Sequence, residues 1–306
     1  MPSETIRVDV CIATCKRPDL LKKLMESLVA QRLAEQVEVR IIVVDNDRTC
    51  SARPTVEEFA AHSPWPVVYD MEPERNISLA RNRSVRHATG DYLAFIDDDE
   101  TADPDWLEEL LGALQRFGAD AVCGPVLPVL PPDAPAWAAD GRLYRRPRHR
   151  SGTALKTGAT NNMLIRAGRL IAYPEPFDPA YGRSGGEDHD LCRRLLRDGG
   201  KLVWCDTAVV CEHLGRERLT VRYLVRRSLL GGRVFARREA KGRHFPHTVC
   251  WFAYRALIVS ATSPALIILW PLHRVWGIRL LMKVCSNLGQ LSILIARGGD
   301  NFYAAD

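Results

Sequence analysis

The apolar run Tyr92–Ile96 stops in three consecutive aspartates, Asp97, Asp98 and Asp99. A short hydrophobic strand that ends in a carboxylate cluster has few places to go. The strand belongs inside a sheet, and the carboxylates belong where the chain leaves it. In open α/β sheets ligands bind at that carboxyl edge. Carboxylates this close repel one another, so a positive partner is expected beside them. A hard divalent cation carrying a diphosphate meets the requirement, and the cluster reads as a nucleoside-diphosphate site.

The surrounding pattern supplies the sheet. Apolar or β-branched runs at residues 8–13, 37–44, 67–69, 92–96 and 121–126 are expected strands. Between them lie helical patterns. One opens at Pro18 with Leu20, Leu21, Leu24, Met25 and Leu28 on one face; one covers 78–87 with Ser78 as cap. A third covers 104–117, with Asp103 as cap and Trp106, Leu107, Leu110, Leu111 and Leu114 facing inward. Strands alternating with helices predict a parallel sheet with crossovers. Residues 128–150 change character, with five prolines plus Trp137 and Tyr144, and read as a long functional loop. Order resumes at 158–165, a helix is expected over 187–197, and residues 201–210 return to extended structure.

Charge separates the chain into two parts. The net charge is +5, yet residues 215–245 hold ten Arg or Lys against two Glu, so the remainder is slightly acidic. An apolar tail follows this basic belt. Residues 256–272 carry no charge, a length at the short end of what spans a bilayer, with Pro264 and Pro271 inside it. A second apolar stretch covers 284–296, and Arg274, Arg279 and Lys283 lie between the two. If the first stretch crossed a membrane, those charges would face outside, against the positive-inside rule. A re-entrant or interfacial helical hairpin on an anionic membrane surface fits better, and a buried soluble helix pair is the plainer alternative. No nucleic-acid motif accompanies the belt, so no nucleic-acid partner is expected. The expected division is 1–215 and 216–306.

Met1-Pro2-Ser3-Glu4 lacks a basic start and an apolar core, so no signal peptide is expected. Nine cysteines without a CxxC pair argue for reduced thiols. Cys205, Cys211 and His213 lack an evident fourth zinc ligand and read as alternate residues along strands.

Five short signatures now stand in order: Ala13-Thr14-Cys15-Lys16-Arg17-Pro18, Val43-Val44-Asp45-Asn46, Ala80-Arg81-Asn82, Phe95-Ile96-Asp97-Asp98-Asp99 and Gly186-Glu187-Asp188. With this order and spacing, the region from about Val8 to His213 resembles the inverting family-two glycosyltransferases of the GT-A fold. The tail is similar, more loosely, to members that build bacterial exopolysaccharides of the succinoglycan type. The resemblance implies an α/β fold with a mixed, mainly parallel sheet, flanking helices and a C-terminal helical, membrane-associated segment. It also implies a metal-dependent enzyme of hexosyltransferase type.

Roles follow for particular residues. Thr14 and Arg17 lie just past the first strand, where a hydroxyl and a guanidinium can reach nucleotide or diphosphate oxygens; a turn residue and a surface charge are the plainer reading. Asp45 ends an apolar strand and can accept the imide N–H of uracil or a comparable donor on another base, or act only as a cap. By resemblance, Arg81 helps hold the donor nucleotide. The resemblance also sets Asp97 on the ribose and Asp99 on the Mg²⁺ or Mn²⁺ ion, with Asp98 supporting them in donor binding. His213 would be a further metal ligand or a core histidine. Asp188, at the start of a helix, is the expected base that takes the acceptor hydroxyl proton; Glu187 and Asp190 are its rivals. Glu187 is otherwise expected to orient the acceptor, as are Asn161 and Asn162, which could also meet the donor sugar. Trp137 and Tyr144 are candidate stacking surfaces for a sugar face.

The expected activity is transfer, with inversion, from a nucleoside-diphosphate sugar, a UDP-sugar in first place, to a lipid-linked saccharide or polysaccharide acceptor. It is set at the cytoplasmic face of the plasma membrane, with peripheral or re-entrant anchoring. Two rivals stand beside it. A nucleotidyltransferase normally carries a glycine-rich loop after the first strand, where this chain has none. An inactive membrane-bound sugar-binding scaffold would not need Asp45, Asp97, Asp99 and Asp188 together. A dehydrogenase is not expected, since no GxGxxG follows a strand.

Overall fold

The computed structural model describes residues 5–139, 142–240 and 245–294. The chain start read for a signal sequence, Lys241 and Arg243 of the basic belt, and the end of the second apolar stretch lie outside the described residues. Two compact units form. The first contains 1–129, 145–183 and 187–213; the second contains 130–144, 184–186 and 214–306.

In the first unit the chain runs β1 (Ile6–Thr14), α1 (Pro18–Val29), β2 (Val37–Asp45), α2 (Arg53–Ala60), β3 (Val67–Met71), α3 (Ile77–His87) and β4 (Tyr92–Ile96). It continues with β5 (Glu100–Ala102), α4 (Trp106–Arg116), β6 (Ala121–Cys123), β7 (Val126–Val129), β8 (Asn162–Arg166), α5 (Ala167–Ile171), α6 (Glu187–Arg197), β9 (Leu202–Trp204) and β10 (Val210–His213). Seven strands make one sheet in the order β3-β2-β1-β4-β8-β6-β9, and β5-β10-β7 make a second. The large sheet is mixed and mainly parallel; β8 alone runs against its neighbours β4 and β6.

Strand alternation builds a core on both faces of this sheet. Val8, Val10 and Ile12 of β1, Ile41 and Val43 of β2, and Ala94 and Ile96 of β4 pack with the buried faces of α1, α2 and α4. Cys11, Ile42, Val44, Leu93 and Phe95 point the other way, onto α3, α5 and α6. Because β2, β1 and β4 are parallel, all three deliver their carboxyl ends to one edge. Thr14 and Asp45 are paired across that edge, and Asp97 follows β4 there.

Local chemistry moves several expected boundaries. Asn76, not Ser78, caps α3: its side chain accepts from the backbone N–H groups of Ser78 and Leu79. The Ser78 hydroxyl instead donates to the Asp178 carbonyl. Asp103 does not cap α4, which starts at Trp106; its carboxylate accepts from the Asp105 N–H in a turn before the helix. The run 121–126 is two strands in different sheets, broken at Gly124-Pro125. A Cβ at Gly124 would lie 2.2 Å from the Ala208 carbonyl oxygen, so only glycine permits that close passage.

The second unit holds three long helices, α7 (Val221–Ala240), α8 (Phe245–Leu272) and α9 (Arg274–Ser292). Much of the basic belt is α7. Arg274, Arg279 and Lys283, which lie between the two apolar stretches of the sequence, are inside α9. Tyr144, Leu214, Leu219, Leu224 and Ile278 form the unit's core, with Trp137 packed against them. Tyr144 is therefore a core residue whose hydroxyl donates to the Arg218 carbonyl, which corrects its reading as a stacking surface.

Candidate active site

The acidic cluster is held from two sides. The Thr14 hydroxyl donates to Asp98 Oδ2 at 2.8 Å, and Arg17 reaches both Asp98 Oδ1 at 3.3 Å and Asp99 Oδ2 at 3.4 Å. On the opposite face of the sheet Arg81 donates through Nη2 to Asp97 Oδ1 at 2.9 Å and through Nη1 to Glu187 Oε1. The pleat explains the split: Ile96 faces α1 and α4, so the next side chain, Asp97, turns toward α3 and α6. Thr14 and Arg17 thus act first on the carboxylates themselves. The turn between them holds Lys16 at φ +57°, a strained non-glycine conformation at the rim of the cluster.

A fourth acid that the sequence reading passed over completes the group. Glu100 is buried; it accepts from the Asp97 N–H and from Asn161 Nδ2. Its position next to the three aspartates was the available signal. Burial, with the charges of Asp97 and Asp99, raises the Glu100 carboxyl well above its ordinary range. Burial also raises Asp98 to about 7, with Asp99 and Asp97 adding to the shift and Arg17 and Thr14 opposing it. Asp97 is raised by burial and by Asp99, against the pull of Arg81 and Arg146. Arg146 was invisible in the proline-rich segment; here it pairs with Glu212 at 3.0 Å and its charge acts on Asp97.

The cluster therefore carries more buried negative charge than its arginines offset, the condition a divalent cation relieves. His213 fits as a further donor. It follows Glu212, which pairs with Glu100 across the β5–β10 ladder, and its N–H donates to the Asp99 carbonyl. Its Nε2 lies 3.1 Å from the Thr101 hydroxyl, and burial lowers its pKa, leaving a neutral imidazole at pH 7. Among the described residues no three His, Cys, Asp or Glu side chains form a ready cage. Mg²⁺ and Mn²⁺ do not require one, since such ions take one or two carboxylates and fill the remaining positions with water and substrate phosphate.

Asp45 lies at the same edge, fully buried. Its Oδ2 accepts from the Ala52 N–H at 2.8 Å and the Tyr69 hydroxyl at 3.1 Å, while Oδ1 has no partner among the described residues. Burial raises its pKa. An orphaned acceptor in this position suits a ligand N–H.

Glu187 and Asp188 open α6, after Gly185 and Gly186 at φ +79° and +103°. Glu187 is 3 % exposed; burial and Asp188 raise its pKa to about 7, with Arg81 opposing, and its Oε2 accepts nothing among the described residues. Asp188 is half-buried, and its Oδ1 accepts from the His189 N–H at 2.7 Å. Arg81 thus joins the cluster to the start of α6 by one side chain. Asn161 sits behind the cluster, on Glu100. Asn162 is a structural staple, which corrects its reading as an acceptor contact: it accepts from Trp106 Nε1 at 2.8 Å and donates to the carbonyls of Pro125 and Ala208, with 1 % exposure.

Residues 9–171 match Glycosyl transferase family 2. Over 244 residues, 80 % of this chain, it is 36 % identical to the succinoglycan biosynthesis protein ExoM of Rhizobium meliloti (strain 1021), covering 79 % of that protein. The chain belongs to glycosyl transferase family 2. The transferase is also 32 % identical over 124 residues to the glucosyl-dolichyl phosphate glucuronosyltransferase of Haloferax volcanii, 40 % of this chain and 38 % of that one. Its fold is similar to that of the mannosyltransferase PcManGT from Pyrobaculum calidifontis, solved with GDP-Man and Mn²⁺ (TM-score 0.64, 18 % identity, 95 % and 88 % of the two chains). It is similar as well to S. aureus TarS 1-349, solved with UDP-GlcNAc (TM-score 0.54, 13 % identity, 94 % and 92 %). The transferase therefore has the GT-A fold, and its activity is glycosyl transfer.

Proposed function

We propose that the transferase moves a sugar, with inversion, from a nucleoside-diphosphate sugar, a UDP-sugar in the first instance, to a lipid-linked saccharide in envelope or exopolysaccharide synthesis. The observation that carries this reading is the Arg81 bridge, which links Asp97 of the acidic cluster to Glu187 beside Asp188. One guanidinium fixes both ends of the chemistry relative to each other. The orphaned Asp45 Oδ1 is the acceptor for a base N–H, and Asp97 takes the ribose. Asp99, with His213, would hold Mg²⁺ or Mn²⁺, which when bound stabilises negative charge on the departing diphosphate. Asp188 takes the proton of the acceptor hydroxyl as that oxygen bonds to the anomeric carbon and the carbon–oxygen bond to the diphosphate breaks. Arg81 and Glu187 keep the start of α6 in register with the donor.

Relatives support the donor and acceptor classes. PcManGT was solved with GDP-Man and Mn²⁺, TarS with UDP-GlcNAc, and the Haloferax relative is named for a dolichyl phosphate saccharide. Nine free thiols, one of them the exposed Cys250, suit the reducing cytoplasmic side of a membrane, where we set the reaction. The test is a panel of nucleotide sugars offered to the purified chain with and without Mn²⁺. Asp188→Asn should retain donor affinity and lose turnover by about 10²–10⁴-fold; near-normal transfer removes Asp188 from its role. Asp99→Ala should lose both Mn²⁺-dependent donor hydrolysis and the Mn²⁺-induced rise in melting temperature.

A further inference from the structure

The helix α8 is long and apolar enough to cross a membrane over Val249–Leu272, and almost none of that stretch is buried. Its exposed large side chains are Val249, Tyr254, Leu257, Ile267, Ile268 and Leu272. At 100° per residue these six fall within an arc of roughly 140° on one side of the helix. Arg255, the one charge in this stretch, lies on the other side, with its guanidinium 5.1 Å from the Trp251 ring. The exposed face is thus an uncharged strip about 36 Å long at 1.5 Å per residue.

What α8 packs against decides how that strip can meet a membrane. A Cβ at Gly232 of α7 would lie 2.1 Å from the Ser286 carbonyl oxygen of α9, and a Cβ at Gly289 would lie 2.1 Å from the Leu229 carbonyl oxygen. Each glycine therefore meets the carbonyl three residues before its counterpart, the reciprocal pattern of a close parallel crossing. Leu224 and Ile278 share a core toward the start of both helices, and Arg233 bonds Ser292 toward their ends. The helices α7 and α9 run side by side in the same direction, and α8 returns between them in sequence. At one end of α8 Trp251 meets Phe235 of α7; at the other Trp270 meets Gly277 of α9. If α8 crossed a bilayer, α9 and α7 would cross with it. The helix α7 carries Arg222, Arg226, Arg227, Arg233, Arg237 and Arg238, and hydrocarbon excludes such a helix.

Charge names the surface that remains. Residues 240–299 contain seven Arg or Lys and no Asp or Glu. Arg274 stacks 4.3 Å over Trp270, and Arg279 lies 5.3 Å from the half-exposed Trp276 ring, the cation–aromatic pairing suited to a headgroup layer. We propose that α8 lies along, not across, the surface of an anionic bilayer. Its uncharged face enters the acyl-chain boundary, and Arg274 and Arg279 of α9 meet lipid phosphates. The inference rests on the membrane location proposed above and adds an orientation to it.

The experiment uses the full chain added from outside to preformed vesicles of phosphatidylcholine, with or without phosphatidylglycerol. The protein should float with the anionic vesicles and be displaced by salt. Leu257→Asp/Ile268→Asp, both on exposed positions, should weaken flotation by roughly tenfold or more while leaving donor affinity and circular dichroism unchanged. His273→Cys should react with a membrane-impermeant maleimide on vesicle-bound protein as fast as in solution, read by peptide mass. Protection of that cysteine would mean crossing, and would overturn the orientation while leaving the membrane location standing. Failure of the native chain to float would overturn both. Flotation of the double aspartate variant like the native chain, or a native dimer that this variant dissociates, would assign the face to something other than lipid.

Discussion

Arg81 does more than the sequence implies. By resemblance it holds the donor; in the fold its two terminal nitrogens are already committed, one to Asp97 and one to Glu187. It is 8 % exposed, and Glu187 is more buried still. Removing one partner of such a pair strands a buried charge, at a cost of about 3–5 kcal/mol. Lysine cannot replace it, because a single ammonium lacks the planar fork that reaches two carboxylates. Arg81→Lys should therefore lower the melting temperature and reduce kcat by about 10²-fold through misplacement of Asp188, with donor Kd raised less than roughly tenfold. A large rise in Kd with normal kcat would return Arg81 to direct donor contact. The same residue marks the limit of sequence reading. Three aspartates after an apolar strand announce their place, because the strand can end only at a sheet edge. Which of two carboxylates an arginine bridges depends on the pleat at Ile96 and on the start of a helix more than a hundred residues away, and no local pattern carries that.

At the scale of elements, the strands and long helices of the first unit were legible, since their buried faces follow periods of two and 3.6. The misses share a cause. The helix α2 buries only Val56, so it lacks an apolar stripe to see. The strand β5 has three residues and exists because β10 pairs with it. Asn76 and Ser78 are both good cap types two positions apart, and tertiary contact with Asp178 decides between them. Asp120 shows the same non-local logic and can be tested. Its carboxylate accepts from Arg169 Nε at 2.8 Å and from the Lys201 N–H at 2.7 Å, tying the start of β6 to α5 and to the approach of β9. Burial alone would raise its pKa; these hydrogen bonds outweigh it and lower the value below 3.8. A depressed folded pKa means that the stabilisation is complete above the unfolded value and is lost as pH falls through the folded one. Asp120→Asn should cost about 1–2 kcal/mol at pH 7, and the difference from the native protein should shrink as pH falls below the ordinary carboxylate range and through the lowered folded pKa. Denaturant unfolding across pH 2–7 measures it; a difference that persists in acid would assign the loss to shape instead of charge.

At the scale of the whole molecule, the transferase combines a sheet enzyme with a helical unit assembled from three separate stretches of chain, 130–144, 184–186 and 214–306. A linear reading sees the basic belt and the apolar tail in succession. It does not see that the prolines and aromatics of 130–144 fold into the same unit, because Tyr144 finds its partners more than seventy residues away. The cohesion of α7 and α9 depends on backbone approach at Gly232, and the adjacent glycine supplies an internal control. A Cβ at Gly231 meets nothing within 4 Å, whereas one at Gly232 meets the Ser286 carbonyl oxygen at 2.1 Å. Gly231→Ala should therefore only improve helix propensity, adding up to about 1 kcal/mol. Gly232→Ala gains the same propensity but must push two backbones apart, a net loss of about 1–3 kcal/mol. The pair should thus shift thermal unfolding in opposite directions, with the shift confined to the transition that abolishes vesicle binding and absent from the one that abolishes donor binding. Equal effects from the two substitutions would show that α7 and α9 do not meet at this crossing, and the case for α8 lying along the membrane would lose its geometric footing.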